Sequence, residues 1–135
     1  LVQTDLPSDA LASLRLGISA GAPLAPEVAR AFADRFRRPL HAFYGSSETG
    51  GIAFDRTGHA TLEGGVGTAL EGVRLEQGRG QRLVVASAAA CSRGRRLRRA
   101  CLAAWVMPDR VEWGADGALR LLGRRGAVVK LAGRR

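Results

Sequence analysis

Lysine is almost missing from this 135-residue chain: of 21 basic side chains only Lys130 is not arginine. That bias reads as codon composition and points to no function, though it makes Lys130 an outlier. Long apolar runs are missing too. No stretch of about 18 residues is apolar throughout, which excludes a transmembrane helix. The opening residues, LVQTDLPSDA, hold no Met, no basic region and no apolar stretch, which excludes a signal peptide there. The chain reads as one entered in mid-sequence, and the cytoplasm is the expected compartment. Cysteine is scarce. Cys91 and Cys101 lie ten apart, fit no zinc-ligand spacing and are expected to be free, inert thiols.

Acidic side chains are depleted from the second half. Residues 1–77 carry seven basic and nine acidic groups, a balance of −2, whereas residues 78–135 carry fourteen and three, a balance of +11. The net charge of +9 would by itself suit a nucleic-acid partner, but the split confines the basicity to one half. Its densest part is 93–99, five Arg in seven residues. No aromatics interleave it, which argues against single-strand binding. Two readings stand: a patch for nucleic acid or an acidic partner, or a solvated segment of low complexity. The second is adopted here, so nucleic acid is not an expected partner.

What is present has a clear order. LPSDALASL (6–14) predicts a short helix with Ser8 as N-cap. LRLGIS (14–19) alternates Leu14, Leu16 and Ile18 and predicts a strand. After the turn cluster AGAPLAP, Pro26 suits a first helical position. Residues 27–38 then predict a helix, with Val28, Phe32 and Phe36 on one face and Arg30, Asp34 and Arg38 as i,i+4 ion pairs on another. Pro39 stops it, and LHAFY (40–44) predicts the next strand. A strand–helix–strand unit with short connections favours parallel pairing. Beyond Asp55 the texture is short, β-branched and glycine-punctuated, which predicts small antiparallel strands. A turn at Asp116-Gly117 feeds one of them, and AVVKLAG (127–133) is another. The expected fold class is therefore α/β: a strand–helix–strand piece of a parallel sheet, then a small, mostly antiparallel β subdomain. The expected division is 1–55, then a β-rich part over 56–122 with an irregular Arg-rich segment at 88–104, then a last segment at 123–135, which the family resemblance given below implies to be a hinge region.

The stretch HAFYGSSETGGIAFD (41–55) concentrates chemistry at a strand end. Glycines let a backbone approach a ligand closely. The hydroxyls of Ser46, Ser47 and Thr49 can donate to anionic oxygens, and exposed amides in a glycine-rich turn can cradle them. Glu48 makes sense beside phosphate if a divalent cation lies between them, because Mg²⁺ is held by one or two carboxylates plus phosphate oxygens. Tyr44 offers a flat face to a base. Ligands of parallel α/β sheets bind beyond the carboxyl ends of strands, and SAGAPL (19–24) would put a second small-residue loop on the same edge. From the residues alone, a plain glycine-rich turn with surface hydroxyls stands equally open. His41 lies in a strand pattern and is open between a packed core imidazole and the polar residue that the family resemblance given below implies near this position; His59 is expected in an exposed loop, and Trp105 and Trp113 as packing residues.

LRLGISAGAPLAPEVARAFADRFRRPLHAFYGSSETGG resembles the adenylate-forming superfamily of acyl-CoA synthetases, aryl-acid ligases and peptide-synthetase adenylation domains. The resemblance rests on a Gly-Ala-Pro loop, a Pro-Glu helix and a Tyr-Gly-x-Thr-Glu motif in which Ser47 replaces the Thr. It is continuous over 14–52, weakens after Asp55, and returns in WVMPDRVEWGADGALRLLGRRGAVVKLAGRR. There the family's Thr-Gly-Asp is Met107-Pro108-Asp109, Gly123-Arg124 is intact, Gly126 replaces the hinge Asp or Lys, and Lys130 and Gly133 match.

The resemblance implies that Gly21, Ala22 and Pro23 line an adenine pocket and that Tyr44 packs on the base beside Gly45. It further implies Ser47 at the α-phosphate, Glu48 on Mg²⁺, Asp109 on the ribose hydroxyls, Arg124 supporting the ribose, and Gly50 and Gly51 near an acyl pocket. Ser47 and Glu48 are thus the candidate catalytic residues, and ATP and Mg²⁺ the implied cofactors. The implied reaction turns a carboxylic acid into an acyl-adenylate and passes it to the thiol of CoA or of a carrier's phosphopantetheine. A possible acyl carrier protein is the one protein partner implied. The family's phosphate-binding Lys loop and its lid domain are absent from these residues, so the chain alone is expected not to adenylate and to be of limited stability. The alternative is a non-catalytic fragment or binding module acting through its Arg-rich segment.

Overall fold

A computed structural model describes residues 4–90 and 103–124. The described residues form two four-stranded sheets. The first joins β1 (Gly17–Ala20), β2 (Leu40–Ser46), β3 (Gly50–Phe54) and β4 (Thr68–Ala69) in sequential order. β1 and β2 are parallel, with Ile18 opposite His41, whereas β3 and β4 run antiparallel to their neighbours. The second sheet is an antiparallel meander of β5 (Arg74–Gln77), β6 (Arg82–Ser87), β7 (Ala103–Trp113) and β8 (Leu119–Arg124). The α/β reading and the parallel strand–helix–strand unit hold. The Arg run 93–99, both cysteines, Gly126, Lys130, Gly133 and the strand expected at 127–133 lie outside the described residues.

The crossover helix α1 (Pro26–Phe36) starts with Pro26 in its first turn. It stops at Phe36 because Arg37 turns left-handed (φ 54°) and Arg38 precedes Pro39, which disfavours helical backbone. Its buried stripe is Ala29, Phe32 and Phe36, with the two rings 4.9 Å apart. Val28 is exposed, so the apolar face is rotated from the expected one. Burying each phenylalanine contributes about 1.5–3 kcal/mol. The expected Arg30–Asp34–Arg38 ladder does not form among the described residues: Arg38 falls past the helix end and donates to the Ala12 carbonyl at 2.9 Å.

Residues 6–14 are a second correction. Amides of Ala10, Ala12 and Leu14 bond three residues back, to Pro7, Asp9 and Leu11, so the segment is a series of turns. It is almost wholly exposed. A helix this short needs a buried face to outweigh its nucleation cost, and none is available.

One core serves both sheets. Ala42, Ile52 and Ala53 of the first pack with Leu83, Val85, Met107, Val111 and Leu119 of the second. Trp105 packs against this cluster, and Trp113 at the far end of β7 is partly exposed. The stretch after α2 (His59–Leu62) stitches the sheets together. Val66 N–H donates to the Leu119 carbonyl, and Leu119 N–H returns to Gly67, both at 2.7 Å. The outer face of β1 and β2 is less covered, since Ile18 and Phe43 are exposed. No helix among the described residues is long and apolar enough to cross a membrane.

Candidate functional site

The parallel strands β1 and β2 end at the same edge, and their carboxyl ends open onto a cleft of about 230 Å³. Its walls come from four places. The loop Gly21–Leu24 follows β1, Ala42 to Ser46 form the end of β2, Gly64 to Val66 follow α2, and Asp109, Leu121, Gly123 and Arg124 come from the second sheet. Gly21, Ala22, Pro23, Tyr44, Gly45, Asp109 and Arg124 are therefore brought together, although 88 positions separate Gly21 from Asp109.

Glycine is needed here for two different reasons. Gly21 has φ +88°, a left-handed turn that a side chain resists, yet the space around it is open. Gly45 is crowded by its own hairpin. A Cβ there would lie 2.7 Å from the Gly50 carbonyl oxygen. The sequence reading assigned such small residues to ligand approach, but at Gly45 the close approach is intramolecular.

The polar centre of the cleft spans both sheets. Tyr44 donates its hydroxyl to Asp109 Oδ2 at 2.8 Å. Asp109 Oδ1 receives Arg124 Nε at 3.3 Å. Asp109 and Arg124 sit directly opposite in the β7–β8 ladder, the position where cross-strand charge pairs act. The carboxylate is only 14% exposed, whereas the guanidinium is mostly in solvent. Burial pushes the Tyr44 phenol well above its ordinary pKa; the Asp109 hydrogen bond and charge add to this, and Arg124 opposes it. Tyr44 is therefore a neutral donor throughout the physiological range.

Local distortion aims these groups. β2 shifts register against β3 between Tyr44 and Gly45. On β7, Val106 pairs with Val84 and Arg110 with Arg82, so Met107, Pro108 and Asp109 together face Leu83. This bulge accommodates Pro108, which has no N–H to give a ladder. Bulges commonly re-aim a side chain; here Asp109 is turned toward the cleft.

The hairpin turn between β2 and β3 behaves differently from expectation. Ser46 Oγ accepts the amides of Glu48 (3.2 Å) and Thr49 (3.3 Å) and lies 3.0 Å from Thr49 Oγ1, closing the turn with its side chain. Thr49 is buried, and Ser46 lines the cleft. Ser47 and Glu48 are exposed on the turn and line no part of it. The Ser46 hydroxyl, then the Glu48 amide, hold the Glu48 carboxyl below the usual carboxylate range. It is thus an ionised acceptor at neutral pH. Among the described residues no three His, Cys, Asp or Glu side chains converge. Glu48 alone suits a cation whose other ligands are phosphate and water, as Mg²⁺ prefers.

Sequence reasoning missed Asp55, which lies outside the cleft but holds one of its walls. Its carboxylate is buried and accepts five hydrogen bonds from Thr57, Gly58 and Thr61. Thr61 Oγ1 in turn accepts the Ala42 amide at 2.9 Å, tying α2 to β2. The available signal was D-x-T-G, an Asx-turn pattern, just after the glycine-rich segment. His41 is half-buried, stacks on Phe54, and lies 2.8 Å by Nδ1 from the Asp55 carbonyl, which fixes Nδ1 as the donor. His59 is exposed, as expected, but it opens the short helix α2 and does not lie in a loop.

A family model described as AMP-binding enzyme matches residues 1–78. Among solved structures, the chain is similar to ATP-bound MatB from Rhodopseudomonas palustris (TM-score 0.77, 22% identity, 92% of this chain and 28% of that one). It is similar to a malonyl-CoA ligase in a ternary product complex with methylmalonyl-CoA and AMP (TM-score 0.68, 20% identity, 89% and 29%). A third is coronafacic acid ligase from Pectobacterium brasiliense (TM-score 0.63, 22% identity, 81% and 24%). At these identities the likeness is one of fold. The chain spans about a quarter of the length of these structures. No curated protein sequence matches it significantly.

Proposed function

Since the chain belongs to the AMP-binding enzyme family, the adenylate-forming ligases, we propose that its cleft is the adenine and ribose side of a nucleotide site. The observation that carries this reading is the convergence of Tyr44, Asp109 and Arg124 with the Gly21–Pro23 loop on one cleft. In this reading the Tyr44 ring packs on the base against Gly21, Ala22, Pro23 and Gly45. Asp109 accepts the ribose hydroxyls, and Arg124 holds the carboxylate charge in place. Ser47, exposed on the turn, donates to the α-phosphate. Glu48 holds Mg²⁺, which when bound neutralises phosphate charge. Gly50 and Gly51 border the acyl group.

The reaction served would be carboxylate activation. A carboxylate oxygen bonds to the α-phosphorus of ATP as the bond to pyrophosphate breaks. A thiolate then bonds to the acyl carbon as AMP leaves. The protein's part is to position the reactants and stabilise charge. ATP in the MatB structure, and AMP with methylmalonyl-CoA in the malonyl-CoA ligase, are the ligands that bring ATP and CoA into this proposal. A carrier-protein phosphopantetheine is chemically equivalent to CoA as acceptor.

The test is AMP binding by the 135-residue chain, followed by calorimetry or amide shifts. AMP should bind, and Asp109→Ala should weaken it about ten-fold or more. A folded chain that shows no AMP binding overturns the reading. Pyrophosphate exchange by the same chain should show no turnover.

A further inference from the structure

The Tyr44 ring has a role in the reading above, but its hydroxyl does not. That hydroxyl is committed elsewhere. It reaches from β2 in the first sheet to Asp109 on β7 in the second, 2.8 Å away. Asp109 is held from two sides, by Tyr44 on Oδ2 and by Arg124 on Oδ1. The two anchors are unequal. Arg124 is long, largely solvent-exposed and at 3.3 Å, whereas Tyr44 is half-buried and has few ways to move. Both Tyr44 and Asp109 stand beside register shifts of their strands, so neither geometry follows from regular pairing.

We propose that the Tyr44 hydroxyl is a positioning group for sugar recognition: it fixes the rotamer of Asp109 so that the carboxylate's remaining lone pairs face a vicinal diol in the cleft. This rests on the nucleotide reading above and adds a separable claim, that one side chain serves the base with its ring and the sugar with its oxygen. A carboxylate oxygen has two lone-pair sites, so the phenol and a ribose hydroxyl can share Oδ2. The phenol stays protonated because it is buried against an anion, and so it donates at every pH at which the site would work.

The experiment compares AMP with 2′,3′-dideoxy-AMP, which keeps base and phosphate but offers Asp109 nothing. The wild-type 135-residue chain should prefer AMP. Tyr44→Phe keeps the ring and removes the donor. It should lose about ten-fold in AMP affinity and little in dideoxy-AMP affinity. Equal weakening of both, or tighter AMP binding because the phenol had been competing with the sugar, overturns the inference while leaving the nucleotide reading intact. A wild-type chain that binds neither nucleotide overturns both.

Should Tyr44→Phe fail to fold, a second route remains. Tyr44 is the chain's single tyrosine, so global replacement of tyrosine by 3,5-difluorotyrosine strengthens this one donor and keeps the ring. Measured below the ionisation of the modified phenol, the ratio of AMP to dideoxy-AMP affinity should move. An unchanged ratio overturns the inference.

Discussion

Removing the Asp55 carboxylate should unfold the chain far more than its distance from the cleft suggests. Oδ1 accepts the Thr57 amide and hydroxyl, each at 3.1 Å, and the Gly58 amide at 2.9 Å. Oδ2 accepts the Thr61 amide at 2.8 Å and its hydroxyl at 2.7 Å. Thr57 is exposed and recovers water after a substitution; Gly58 and Thr61 are buried and do not. Each stranded buried amide costs about 1–3 kcal/mol, so Asp55→Ala should cost roughly 2–6 kcal/mol. For a chain this size that is a fall in Tm of at least about 7 °C. Asp55→Asn is the sharper variant. Its amide has one acceptor oxygen, so in either orientation an NH₂ faces a buried N–H, and the loss should approach that of Ala.

Acid should act through the same group. Burial alone would raise the carboxyl's pKa, but the Thr61 hydroxyl and amide, then Thr57, outweigh it and the net shift is downward. A depressed folded-state pKa means stability that is complete above the unfolded value of about 3.9 and lost as pH falls through the lower folded value. Thermal melts by circular dichroism at pH 7 and through pH 5 to 2 supply both tests. A loss under about 1 kcal/mol for Asp55→Asn at pH 7, or an identical acid profile for wild type and variant, would refute this account of the hub.

Two glycines with nearly the same backbone angle should lose stability to very different extents when given a methyl group. Gly67 (φ +81°) packs where a Cβ would strike the Phe54 carbonyl and the Asp55 amide, so Gly67→Ala must push β3 from β4 and should cost more than about 3 kcal/mol. Gly21 (φ +88°) has open space, so Gly21→Ala should cost only the conformational penalty of about 1–2 kcal/mol; urea melts showing equal losses would contradict the distinction. Glu48→Gln should leave metal-free AMP binding unchanged, because the side chain lies outside the cleft, and should weaken the gain in ATP affinity produced by added Mg²⁺. An unaltered Mg²⁺ dependence in calorimetry would remove Glu48 from the metal role.

What could be read in the sequence followed the range of the interactions. The β1–α1–β2 unit was legible because its determinants are local: Pro26 at the start, the phenylalanine spacing, and Pro39 beyond the end. The same local logic failed at 6–14, where capping signals were present but no face was available to bury. It also hid β3, because GGIAF looks like a turn until Gly51 and Ala53 are seen paired with β2. In the site, Tyr44 could be picked out as a residue type at a strand end. Asp109 could be placed only by family resemblance, since no local pattern brings position 109 to position 44. What brings it there is a pair of irregularities in β2 and β7, one of them built around a proline that the family's usual tripeptide lacks. That substitution first looks like decay of the motif. In the fold, Pro108 sits at the point where the ladder is already broken, so a residue without an N–H leaves no extra buried group unpaired. The departure in sequence is therefore compatible with the aim of Asp109 into the cleft.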